Sequence, residues 1–188
     1  AMLVAKRSGP FREPGRLGFV LASLTLLSLS LGLGNSVSLA WQIGSDRDAF
    51  LARRLDTLQD RIDKVLVGDP ANADALILRA TILAQRDDYA AALRDVDLAI
   101  KGGRDSAVTR NLRAWSLFKL GRAEEGLPDA EIALKAAPDD PAILDTRAHI
   151  YEAMGRRAEA IADYKAALRQ DPSLAESQAG LRRLTNDD

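Results

Sequence analysis

The single histidine of the chain, His149, has Asp145 four residues before it and Glu152 three after, so a helix through this stretch puts all three on one face. One imidazole beside two carboxylates is the minimum for a metal ligand set or a general base. The plainer reading is a groove-wall histidine beside solvated acids, and the rest of the chain favours it. There is no cysteine for a thiolate or a Cys-ligated zinc, and no H-E-x-x-H, G-x-S-x-G or strand-to-helix G-x-G-x-x-G. Gly121 and Gly126 have the spacing of a phosphate loop, but Leu127-Pro128 stands where Lys-Ser/Thr is required. The expectation is a protein that is not an enzyme, with no cofactor, no metal site and no small-molecule substrate.

The elements that carry these groups emerge when the chain is compared with itself at a shift of 34 residues, which divides it into units 73–106, 107–140 and 141–174. Small residues recur at position 8 (Ala80, Ala114, Ala148), position 20 (Ala92, Gly126, Ala160) and position 27 (Ala99, Ala133, Ala167). Large apolar ones recur at position 11 (Leu83, Leu117, Tyr151) and position 28 (Ile100, Leu134, Leu168). Small residues let two helices touch, and large ones fill the space between them. A polar corner splits each unit (Arg86-Asp87-Asp88, Leu120-Gly121-Arg122, Met154-Gly155-Arg156), and Pro70, Pro138 and Pro172 punctuate the ends. Residues 73–174 thereby resemble the tetratricopeptide repeat (TPR), a 34-residue helix-turn-helix unit. The resemblance implies an all-α, right-handed superhelix of three TPR units. Two departures stand out. The first unit has Arg104 where Pro is expected, after Gly102-Gly103, and the second carries Pro128 inside its second helix, which it is predicted to bend or delay.

Beyond the usual pattern, Arg fills position 7 of every unit (Arg79, Arg113, Arg147) and Asp fills position 23 (Asp95, Asp129, Asp163). These positions lie on the first and second helix, so each unit is predicted to hold one structural Arg–carboxylate pair. In TPR proteins positions 2, 5, 9 and 12 point into the concave face. Carried over, they are Asp74, Ile77, Thr81 and Ala84, then Val108, Asn111, Trp115 and Phe118, then Ala142, Asp145, His149 and Glu152. The resemblance implies a partner-binding groove formed by Ile77, Thr81, Asn111, Trp115, Phe118, Asp145, His149 and Glu152, apolar at one end, aromatic in the middle and acidic at the other. It lacks the Lys and Asn at positions 5 and 9 of the carboxylate-clamp type. The implied partner is a protein or peptide presenting an apolar anchor beside Lys or Arg; the alternative is that Trp115 and Phe118 are covered by neighbouring helices.

A solenoid must be capped at both ends. Residues 175–188 offer a C-terminal helix with Leu181 and Leu184, ending in a tail predicted to fray. Residues 45–68 offer a linking helix, opened by Ser45 with Asp48 three on and stopped by Gly68-Asp69-Pro70. Within it Leu58, Ile62 and Val65 fall at positions 20, 24 and 27 of a preceding unit, which favours packing on the first repeat over a short coiled coil.

The formal net charge of −1 divides into +3 over residues 1–16, none over 17–45 and −4 over 46–188, which leaves no broad basic surface for nucleic acid. At about 1.5 Å per residue, a helix through the uncharged segment crosses about 30 Å of hydrocarbon. It is read as a transmembrane helix over 17–43, its basic stub 1–16 in the cytoplasm and the repeats in the periplasm. The alternative is a signal segment cleaved after Ser38-Leu39-Ala40, leaving a soluble periplasmic protein. Ser28, Gly32, Ser36 and Ala40 form a small-residue stripe suited to contact with membrane-complex subunits, and Ala1 ahead of Met2 leaves room for an upstream segment. Together these features describe a membrane-anchored TPR adaptor in assembly or maintenance of an envelope or membrane complex, with a permanent accessory subunit as the alternative.

Overall fold

The computed structural model describes residues 47–185. The basic stub, the span predicted over 17–43, the Ser45 cap and the tail 186–188 lie outside the described residues. Among the described residues there are eight helices and no strand: α1 (Arg47–Gly68), α2 (Ala73–Gln85), α3 (Tyr89–Lys101), α4 (Ala107–Lys119), α5 (Ala123–Ala136), α6 (Pro141–Ala153), α7 (Arg157–Gln170) and α8 (Ala175–Thr185). None of these is long and apolar enough to cross a membrane.

Helix starts fall where a short polar side chain accepts orphan N–H groups. Asn72 accepts from Ala75, Asp88 from Ala91, Ser106 from Thr109, and Asp140 from Ala142 and Ile143. α5 and α7 lack such a cap; there Arg122 pairs with Glu125 and Arg156 with Glu159, placing carboxylates in the first turn, where the helix dipole favours them. The corner of every unit turns on one left-handed residue, Asp87, Gly121 or Gly155 (φ 61°, 75° and 72°). The N–H that follows it reaches back to close a Schellman motif: Asp88 to Leu83, Arg122 to Leu117 and Arg156 to Tyr151. The aspartate tolerates this conformation with Tyr89 donating to its carboxylate at 2.5 Å.

The small residues at positions 8, 20 and 27 are fully buried where the two helices of each unit meet. Contact is tightest in the second unit, where a Cβ on Gly126 would lie 2.8 Å from the carbonyl oxygen of Ala114. Successive units stack second helix on first helix. First helices also touch one another across units (α2 with α4, α4 with α6, α6 with α8), whereas second helices do not. The first helices therefore line the inner, concave face and the second helices the outer, convex one.

Two expectations need correction. α5 is not delayed: it starts at the same repeat position as α3 and α7 and runs on through Pro128, with the proline and Glu124, whose carbonyl loses its bond, both on the exposed side of the helix. In α1 the residue that enters the core is Leu66, joined by Ile62, Leu55 and Leu58, while Val65 is 47% exposed. At 100° per residue those four share one stripe and Val65 falls off its edge. Leu66 holds position 28, the place taken by Ile100, Leu134 and Leu168.

Gly126→Ala is expected to lower unfolding stability by about 1–3 kcal/mol by forcing α4 and α5 apart. Pro128→Ala, which restores a backbone bond on the exposed face, is expected to raise it; urea titration followed by circular dichroism checks both.

Candidate functional site

The arginines of position 7 sit between the two helices of their units. Arg79 Nε and Nη2 donate to the two oxygens of Asp95 at 2.7 and 2.9 Å, and Arg147 does the same to Asp163 at 2.6 and 2.9 Å. In the second unit Asp129 is shared: Arg110 Nη1 takes one oxygen at 2.7 Å, and Arg113 Nη1 reaches the other at 3.1 Å. All three carboxylates are buried, so their charges need these partners.

Arg79 and Arg113 also cross to the preceding unit, which sequence reasoning missed. Arg79 Nη1 lies 3.1 Å from Asp63, and Arg113 Nε lies 2.7 Å from Asp97. The bond to Asp163 first, and more weakly the field of Glu131, hold the Arg147 guanidinium above its usual range. Asp63, Asp97 and Glu131 all occupy position 25, so the signal was present in the 34-residue shift. The result is a ladder that ties unit to unit as well as helix to helix.

On the concave side, Ile77 and Thr81 are half-buried, and the Thr81 hydroxyl donates to the Ile77 carbonyl at 2.9 Å. Trp115 and Phe118 are also half-buried, their ring centroids 5.2 Å apart, and each packs on His149 at 5.4 and 5.5 Å. The indole is therefore backed by the next repeat and partly open. The Lys119 ammonium lies 5.6 Å from its centroid and 5.3 Å from that of Tyr89. Asn111 is 8% exposed, and its Oδ1 has no hydrogen-bond partner.

The acidic end differs from expectation. His149 is 7% exposed, with Nδ1 2.9 Å from the Asp145 carbonyl oxygen and its ring edge-on to Tyr164. The Ser177 hydroxyl of α8 donates to the Asp145 carboxylate. Glu152 accepts from the Tyr164 hydroxyl at 2.6 Å and from Arg183 Nε and Nη2, both at 3.0 Å. Gly180 makes this possible, because a Cβ there would overlap the Tyr164 ring. Asp145 and Glu152 are thus bonded by α8, His149 is enclosed between Tyr164 and the Trp115–Phe118 pair, and each carboxylate is satisfied separately. The physical reason is that a terminal repeat must cover its apolar side, and α8 does so in the place of a fourth first helix. Burial works to raise the Glu152 carboxyl, but the bonds from Arg183 and Tyr164 outweigh it and hold the group below its usual range. Burial, then the bond to Glu152, push the Tyr164 phenol far above its usual range, so it stays a donor.

A family model described as Psidin, N-terminal TPR repeats region, matches residues 61–181. The chain belongs to this TPR family. Among solved structures it is similar to TTC0263, a thermophilic TPR protein in Thermus thermophilus, at 20% identity and TM-score 0.59, covering 89% of this chain and 91% of that one. It is also similar to the first TPR of Spaghetti (RPAP3) bound to the HSP90 peptide SRMEEVD, at 19% identity and TM-score 0.56, covering 61% of this chain and 91% of that one. YrrB, a TPR protein with an unusual peptide-binding site, shares 17% identity and TM-score 0.56 over 72% of this chain and 80% of its own. At these identities the likeness is one of fold. No curated protein matches the chain.

Arg147→Met strands the Asp163 charge in a nearly closed site of the TPR stack and is expected to cost about 3 kcal/mol, most of it recovered by adding Asp163→Leu; denaturant unfolding of the single and double variants measures this. Because the folded-state pKa of Glu152 is depressed, its stabilising contribution is complete above the unfolded value and is lost as pH falls through the folded one. Hydrogen-exchange protection of α8 is therefore expected to drop below about pH 4, with a smaller change in Glu152→Gln, which is already weakened at neutral pH.

Proposed function

We propose that this protein is a membrane-anchored TPR adaptor that holds a partner polypeptide in the groove of its first two units. The observation that carries the reading is the partly open Trp115–Phe118 pair beside the Asn111 amide, whose oxygen lacks a partner. Two rigid aromatic rings offer an apolar anchor site, and the amide and Lys119 supply polar groups around it. Ile77 and Thr81 extend the same face into the first unit. With Glu152 neutralised by Arg183, the third unit adds no acidic flank, and the partner needs no cation beside its anchor. The HSP90 peptide on the Spaghetti (RPAP3) neighbour and the peptide-binding site of YrrB support a polypeptide as the class of partner.

The anchor is the uncharged segment 17–43, preceded by the +3 stub in the cytoplasm, so that the repeats project into the periplasm. Tethering raises the local concentration of the groove at the bilayer, so modest affinity suffices for assembly or maintenance of a membrane complex.

A photocrosslinker at Val108, the exposed groove residue of α4, is expected to capture the partner, and Trp115→Ala with Phe118→Ala to reduce capture more than about tenfold while the helical circular dichroism is retained. Undiminished capture would overturn the groove assignment. Sequencing the mature N-terminus tests the anchor: residues 1–16 intact support it, whereas a start at Trp41 removes it.

A further inference from the structure

The convex faces of the second helices carry a pattern that neither the groove nor the ladder uses. Positions 22, 26 and 29 stand at i, i+4 and i+7 and form one stripe on the outer side of α1, α3, α5 and α7. The stripe holds five cations, Lys64, Arg94, Lys101, Lys135 and Arg169, all exposed, against one carboxylate, Asp60. Between them Val67, Leu98 and Ile132 are 85%, 50% and 43% exposed. The near-neutral total charge of the chain conceals this segregation.

Elsewhere on the surface Arg86 pairs with Asp56, Arg104 with Asp74 and Arg122 with Glu125, while Arg61, Lys165 and Arg182 are exposed cations outside the stripe that have no ion pair among the described residues. None of the five stripe cations has an ion pair among the described residues. The helix dipole accounts for Lys101, Lys135 and Arg169 in last turns, but not for Lys64, Arg94 or the exposed aliphatic side chains. Carboxylates flank the stripe at position 25, where Asp63 and Asp97 are held by Arg79 and Arg113 and Glu131 lies in the field of Arg147, and Glu124 flanks it in α5. Unpaired cations on long apolar stems, interleaved with aliphatic residues on the convex face, match a headgroup layer: charges reach lipid phosphates while the stems and aliphatic side chains enter the boundary. The stripe has no aromatic residue to stack on bases, and the open depression that reaches it at Lys135 is bordered by Glu131, whose carboxylate disfavours an acidic peptide. The uncharged segment ends at Ser45, two residues before α1, the first helix of the stripe.

We propose that the convex stripe of Lys64, Arg94, Lys101, Lys135 and Arg169 docks on an anionic lipid surface, laying the solenoid against the bilayer with its groove turned away. The delivery of the stripe to the membrane rests on the anchored reading, whereas the docking itself does not.

The chain contains no cysteine, so Ala162→Cys on the stripe and Val108→Cys on the concave face each give a unique fluorophore site in the full-length protein. The Ala162 label is expected to lose severalfold in acrylamide quenching with vesicles of about 30% phosphatidylglycerol relative to pure phosphatidylcholine, and to regain it in about 0.5 M salt, while the Val108 label does not change. Each basic residue near an anionic surface is worth about a fivefold shift, so Arg94→Gln/Lys101→Gln/Lys135→Gln is expected to move the docked-to-undocked ratio on the order of 100-fold toward undocked. Circular dichroism verifies that this exposed-site variant folds. Flotation with pure phosphatidylcholine vesicles reads the anchor separately. Flotation without protection at Ala162 in phosphatidylglycerol overturns the stripe and leaves the anchor; protection there without flotation in phosphatidylcholine supports the stripe and removes the anchor. Protection by polyglutamate or RNA but not by the anionic vesicles assigns the stripe to another class of partner and overturns the proposal.

Discussion

The two helices of each unit meet through residues with almost no side chain, and the other features of the solenoid follow from that contact. Ala80, Ala92 and Ala99 are wholly enclosed, as are Ala148, Ala160 and Ala167, and Gly126 takes the tightest place. Close backbones leave no room for variation in crossing geometry, so the same pair is produced three times from different large residues. Short separation also brings a position 7 side chain within reach of position 23, sixteen residues on. A larger residue at position 20 would disturb the apolar packing and the ion pairs together.

The arginine ladder is the polar counterpart of that packing. The planar guanidinium groups of Arg79 and Arg113, with multiple donors, serve one carboxylate in their own unit and another in the unit before, which lysine, as a point charge, would do poorly. Buried Asp95, Asp129 and Asp163 are tolerable only because this network neutralises them. The ladder fails at the C-terminal end, where Lys165 holds position 25. There the structure changes device: Ser177, Gly180 and Arg183 of α8 lock onto Asp145, Tyr164 and Glu152 and close the stack. The half-buried concave residues Ile77, Thr81, Trp115 and Phe118 thus lie in the first two units, while the convex side keeps its unpaired cations.

Much of this was legible in one chain because the fold is periodic. Comparing units at a fixed shift substitutes for comparing relatives, and it located the helices, their corners, the buried alanines and the position 7 and 23 pairs. The corners were marked by Gly121 and Gly155, and Asp87 could be placed only by phase with them. Position 25 was equally periodic, but a carboxylate at a helix surface looks solvated until the neighbouring arginine is seen to reach it. Pro128 does not delay α5, and the bond it removes faces the exposed side of the helix. Val65 was misjudged because phase with the later units outweighed the local stripe that carries Leu66 inward.

By itself, the sequence determined the repeat period, the helix pairs and their small-residue contacts, since these are local or recur at a constant separation. It also determined the division of charge into a basic stub, an uncharged segment and an acidic remainder. Only the tertiary structure decided which groove positions remain open. Asp145, His149 and Glu152 obey the same periodicity as Asn111, Trp115 and Phe118, yet α8 engages Asp145 and Glu152, Tyr164 packs on His149, and these contacts occur once. Only the tertiary structure, likewise, separated the arginines held in ion pairs from the cations left on the convex face, because a charge count sums what three dimensions keep apart.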